Sequence, residues 1–248
     1  MTGRQRALTA LRHEEPDRVP IDYWATRETD ANLCAALGLA GRGQILDRFG
    51  VDFCYIPGPA YVGPPLRRID ENTDVDVWGV PRRKVVVGEG RKAQSYENVI
   101  EHPLANAQTV ADVLDYPHWP DPDWFDYSVI ADQCRQAGDR CVMFMGDRLN
   151  RIAQIKPAMY LRGIAQILID MLADPPIFQA IVDRIAAFYF EYLHRILKAA
   201  GGGIDVLVTG DDFGSQESLL CKPSLWRAMV RPNFAKFIDI SHSYNVPV

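Results

Sequence analysis

Apolar and polar positions along the chain fall into two alternating rhythms. Short, nearly continuous apolar runs occur at "DRVPIDYW" (Arg18–Trp24 at its core), "VDFCYIP", "RCVMFMGD" and "IDVLVTG", and "VPV" at the end opens a fifth. Runs of this kind suit strands buried on both faces. Between them the apolar period lengthens to that of a helix. Thr2 can cap a first short helix with Ala7, Leu8 and Leu11 on one side, closed by Pro16. Helices are predicted over Asp30–Leu37 and Gly43–Phe49, and another runs to Ala137. "MYLRGIAQILIDML" reads as a helix facing inward through Ile164, Leu168 and Met171. Asp174 then caps a helix with Pro175 and Pro176 in its first turn, and Ile181, Ile185, Phe188, Tyr192 and Ile196 keep its period. Gly201–Gly203 end it, and a last helix runs from Pro223 to about Tyr244 with Trp226, Val230, Phe237 and Ile238 inward.

Residues 67–100 break this alternation. "TDVDVWGVPRRKVVVGEG" has short alternation and turn residues, which predicts an antiparallel excursion. "YPHWPDPDWFDY" is a proline-rich connector. Its Asp121, Asp123 and Asp126 have the spacing of a calcium loop, but the intervening prolines fix extended backbone and favour a plain linker. Buried strands separated by helices imply a parallel sheet wound in order, and hence a (β/α)8 TIM barrel of the α/β class. About five of the eight strands can be counted. The expectation is one barrel domain over residues 1–248 that lacks its C-terminal part, with an unclosed edge and poor stability on its own.

Composition narrows the picture little. The chain has 248 residues, 48% hydrophobic and 24% charged, with a formal net charge of −5. That balance gives no electrostatic reason to expect a nucleic-acid partner. Arg67, Arg68, Arg82, Arg83 and Lys84 read as solvated hairpin charges. The charged N-terminus has no signal-peptide core, and no apolar run is long enough to span a bilayer. Five scattered cysteines without a C-x-x-C pair argue for a reducing, cytoplasmic setting.

The chemistry is expected at the C-terminal ends of the strands, where such barrels place their sites. Asp211 and Asp212 end the fourth run as candidate catalytic acids, with Gly210 and Gly214 beside them. Arg27, Tyr61, Asp147 and Gln216 are the candidate substrate contacts. Structural roles compete with these. Asp211 could cap a helix starting near Gln216 or Pro223, and Arg27 could pair with Glu28 or Asp30. Tyr160 suits core packing, and the five histidines are too scattered to be ligands. Adjacent strand residues point opposite ways, so one acid of the pair suffices for the site.

"LRHEEPDRVPIDYW", "VDFCYIPGPAYVGPP", "DVDVWGV" and above all "IDVLVTGDDFGSQESLLCKPSLWRAMVRPNFAKFID" resemble the uroporphyrinogen decarboxylase superfamily over nearly the whole chain. The resemblance implies a barrel enzyme of one of two kinds. One decarboxylates uroporphyrinogen in porphyrin and haem biosynthesis without a cofactor. The other transfers methyl groups between a cobalamin and a thiol or folate acceptor. The decarboxylases carry an arginine- and glycine-rich stretch where this chain has "ATRETDANL", an acid where it has "YIPGPAY", and a Ser-His pair where it has Asp211-Asp212. The methyltransferase kind therefore fits better. Its partners would be a tetrapyrrole or methylated small molecule and a corrinoid-binding protein. Its zinc would be held by a His-x-Cys motif and a later Cys, which only a longer chain could supply. A non-catalytic ligand- or partner-binding barrel is the remaining alternative.

Overall fold

The computed structural model describes residues 1–90, 93–146 and 152–248. Helix α1 (Gly3–Leu11) opens the chain, and the Thr2 side chain caps it reciprocally with Gln5. An extended segment leads to α2 (Arg27–Leu37) and α3 (Arg42–Arg48), then to strand β1 (Phe53–Ile56) and the short β2 (Ala60–Tyr61). Strands β3 (Arg68–Asp70), β4 (Thr73–Val75), β5 (Pro81–Val87) and β6 (Gln94–Val99) make a four-stranded antiparallel sheet in sequence order. Helix α4 (Val110–Leu114), β7 (Phe125–Asp126) and α5 (Ile130–Gln136) lead back to β8 (Cys141–Phe144). Helices α6 (Ile155–Arg162), α7 (Ile164–Ala173) and α8 (Pro175–Ala200) precede β9 (Val206–Leu207), and α9 (Pro223–Met229) and α10 (Arg231–Ser243) follow it.

The fold is mixed α/β around a parallel sheet in the order β1-β8-β9. Phe53 pairs with Cys141, Tyr55 with Met143, and Met143 with Val206. Three of the four buried segments expected from the sequence thus lie parallel and in order. The fourth, Arg18–Trp24, is extended but is no strand. Pro20 lacks a donor, and among the described residues the segment's backbone link toward the sheet is the Asp52 N–H to Ile21 O at 2.8 Å, just before β1. Val19 in this segment is 81% exposed. At the other edge, the Leu207 N–H donates to Pro247 O at 2.9 Å, so "VPV" lies beside β9 without becoming a strand. No closed barrel exists among the described residues.

Two expected helices are divided. Gly163 has φ +90°, which separates α6 from α7. Pro232, with no N–H to give, sits in the first turn of α10 and sets it apart from α9. The inward face of α7 is Ile167, Asp170 and Met171, whereas Ile164 is 57% exposed, because the break at Gly163 resets the helix axis. Asp174 precedes α8 but makes no side-chain cap.

The core is built on α8. Its Ile181, Ile185, Phe188, Tyr192 and Ile196 are buried, as their period predicts. Phe188 stacks on Tyr192 at 5.2 Å between centroids, and Tyr192 meets Phe125 of β7 edge-on at 5.1 Å. Trp78, at the bend between β4 and β5, meets Phe188 at 5.3 Å, so the antiparallel sheet is anchored in the same core. Beside it, the Asp76 carboxylate accepts from the Trp78 and Val80 N–H groups and from Arg82 Nε at 2.6 Å. The Arg82 guanidinium also lies 4.3 Å over the Tyr160 ring, which gives Tyr160 a packing role.

Candidate functional site

Alternate residues of the parallel strands serve two different faces. Ile56, Val142, Phe144 and Leu207 join the large core beneath the helices. Phe53, Tyr55, Cys141, Met143, Val206 and Val208 form a separate, smaller cluster with Ala7 of α1. Cys141, Met143 and Val206 are buried there, but Phe53, Tyr55 and Val208 are half-buried, and Trp24 beyond them is 59% exposed. Tyr55 and Val208, near the C-terminal ends of β1 and β9, leave this face partly open there.

A polar triad sits at that opening. The Tyr55 hydroxyl donates to Asp22 Oδ2 at 2.7 Å, and the Trp24 indole N–H reaches the same oxygen at 2.7 Å and Tyr55 Oη at 2.9 Å. The two rings meet edge-on at 5.4 Å. Burial, and then the hydrogen bond to Asp22, raise the Tyr55 hydroxyl above its ordinary value, so it remains a proton donor near neutrality. The segment 17–22 is held by Asp52, whose carboxylate accepts from Arg6, Arg18 and the Ile21 N–H. Burial pushes the Asp52 carboxyl up, but the Ile21 N–H, Arg18 and Arg6 outweigh it and keep it below the usual carboxylate value.

Beyond β9, at the other edge of the sheet, the two adjacent acids have different environments. Asp211 accepts three backbone N–H bonds, from Gln154 at 2.7 Å, Ile155 at 3.0 Å and Lys156 at 2.8 Å. It therefore caps α6 from a distant loop, rather than a helix near Gln216 or Pro223. Burial pushes its carboxyl above the usual range, even though the three N–H groups pull it down. The Thr209 hydroxyl, donating to Ile152 O, stitches the same loops together. Asp212 points into solvent and pairs with Lys156 Nζ at 3.0 Å. Both acids lie in irregular backbone beyond β9 (Val206–Leu207), so it is the loop, and not strand alternation, that separates a capping acid from an accessible one.

The other predicted site residues do not gather here. Arg27 is exposed at the first turn of α2, and Glu28 and Asp30 bond instead to Ser95 and Arg42. Tyr61 donates to Pro64 O at 2.6 Å and packs against Trp124 and Phe125, in the wall of a neighbouring cavity. Gln216 is exposed in the turn between Phe213 and Leu220. Asp147 lies outside the described residues. Sequence reasoning overlooked Asp22 and Tyr55. Their signal was a polar side chain inside each of two apolar runs, "IDYW" and "DFCYI".

Among the described residues no three His, Cys, Asp or Glu side chains gather as a metal site, and the cysteines are free. No described helix is long and apolar enough to cross a membrane. No family model matches the chain. No curated protein matches it either. Among solved structures, it is similar to a methyltransferase from Methanosarcina mazei, over 99% of this chain and 68% of that one, with a TM-score of 0.57 and 16% sequence identity. At that identity the likeness concerns the fold.

Proposed function

We propose that the open face of the β1-β8-β9 sheet is a methyl-transfer site, working between a corrinoid and a thiol or folate acceptor. The carrying observation is that a polar cluster and an accessible acid sit at the strand ends of a fold shared with a methyltransferase. This reading takes the sheet as part of a (β/α)8 barrel, in which the strand ends hold the chemistry. The half-covered side chains of Trp24, Tyr55 and Val208 fit a large flat macrocycle better than a small polar substrate. When bound, the corrinoid supplies a methyl group on cobalt. A corrinoid-binding protein is the partner that would present it.

The chain's own residues orient and move protons. Asp22 fixes the Tyr55 hydroxyl and the Trp24 indole against one oxygen, which sets the wall of the site. Asp211 holds the start of α6 in place and is a positioning residue. Asp212, exposed and paired with Lys156, is the acid that would take a proton from an incoming acceptor. The described residues do not fit a zinc ion, and zinc has no part in this reading.

The test mixes the protein with methylcobalamin and a panel of thiols and folates. Absorbance follows the corrinoid, and mass spectrometry follows the acceptor. Methylation of one acceptor, lost in Asp212→Ala with unchanged melting, is the expected result. No acceptor methylated, together with carbon dioxide released from uroporphyrinogen in a parallel reaction, would overturn methyl transfer in favour of decarboxylation.

A further inference from the structure

The Pro/Gly turn after β1, the antiparallel sheet and the connector before β7 border a partly open cavity of about 430 Å³. Its volume is that of a small-molecule site. Aromatic side chains of Tyr61, Tyr116, His118 and Trp124 line it. Both phenols are already engaged. Tyr61 donates to Pro64 O at 2.6 Å and Tyr116 to Trp78 O at 2.8 Å, so they contribute ring surface rather than spare hydroxyl donors.

The walls depend on glycine. A Cβ at Gly63 would fall 2.5 Å from Trp124 Cβ and 2.9 Å from Tyr61 Cζ. One at Gly79, where φ is +74°, would meet the Tyr116 hydroxyl and lie 2.7 Å from His118 Cβ. The four rings are thus seated directly on backbone at two places, which fixes their positions.

The charges are the second observation. Asp76 borders the cavity but is consumed by Arg82 and two N–H groups. Arg67 and Glu101 also line it, and neither has an ion pair or side-chain hydrogen bond among the described residues. A polyanion such as a nucleotide would find Arg67 but be opposed by Glu101 in the same lining. Both side chains are exposed, and a hydrocarbon would make use of neither charge. An ammonium group with methyl substituents suits aromatic rings with a carboxylate nearby, and a carboxylate suits the guanidinium.

We propose that this cavity binds a small zwitterion carrying a methylated ammonium and a carboxylate. Aromatic rings and Glu101 take the cation, and Arg67 takes the anion. The cavity shares no lining residue with the strand-end cluster, and the proposal does not rest on methyl transfer there.

Calorimetric titration of the 248-residue protein tests it, with glycine betaine, tetramethylammonium and acetate as probes. Betaine is expected to bind at least about tenfold more tightly than either single-charge probe, the worth of one added charge contact. Arg67→Ala should reduce betaine to the affinity of tetramethylammonium without moving the melting temperature, and Glu101→Gln should weaken both cationic probes. Absence of betaine binding would overturn the proposal. So would equal affinity for betaine and tetramethylammonium, or Arg67→Ala binding betaine as the native chain does.

Discussion

The two faces of one three-stranded sheet have been put to different uses. Phe144 points into the helix-packed core and is 0% exposed, among Val142, Leu207 and the side chains of α8. Tyr55, across the pleat, is half-buried and spends its hydroxyl on Asp22. The strands are short, so face is decided residue by residue, and a polar group inside an apolar run marks the side that helices leave uncovered. Stability is concentrated on one face and accessible polar chemistry on the other.

The largest expected effect lies on the covered face. Phe144→Ala should cost about 3–5 kcal/mol in urea denaturation, since the surrounding helices can close the cavity only in part. A cost under about 1 kcal/mol would mean that this face is not the core. Next is the anchor of the segment bordering the open face. Asp52→Asn should cost about 2–3 kcal/mol near neutral pH, because it weakens hydrogen bonds to two guanidiniums and the Ile21 N–H. The Asp52 carboxyl is held low in the folded state, so its contribution is complete above the unfolded value of about 3.9 and fades as pH falls through the folded one. The gap between native and Asp52→Asn stabilities should therefore narrow in acid. A gap that widened would reverse the assignment.

Smaller effects separate the acids at the strand end. Asp211→Ala should cost about 1–2 kcal/mol by releasing the three N–H groups at the start of α6. Asp212→Ala should cost at most about 1 kcal/mol, since its side chain is 74% exposed and its pairing with Lys156 is screened. Equal costs would remove the distinction between a capping and an accessible acid. Tyr55→Phe should be similarly mild, below about 1 kcal/mol, because the bond it loses is open to water.

Local pattern carried the sequence reading where local physics decides structure. The apolar period of α8, the Thr2 cap and the antiparallel run after Arg67 follow from neighbours in sequence. Arg18–Trp24 looked like β1 in composition, but a strand also needs a ladder partner, and with Pro20 and exposed Val19 its backbone bond among the described residues is to Asp52, just before β1. The site was legible as a place more than as a set of residues. Asp211 was found at a strand end, but its role depends on α6, and Lys156 stands 55 positions away. Asp22 and Tyr55 are 33 positions apart, and no spacing rule joins them.

Hydrogen–deuterium exchange with and without methylcobalamin tests the division of faces most directly. Protection is predicted over residues 17–26, 53–58 and 206–212, with exchange in α8 unchanged. Protection confined to α8 or to the antiparallel sheet, or absent throughout, would contradict the assignment of the open face as the functional one.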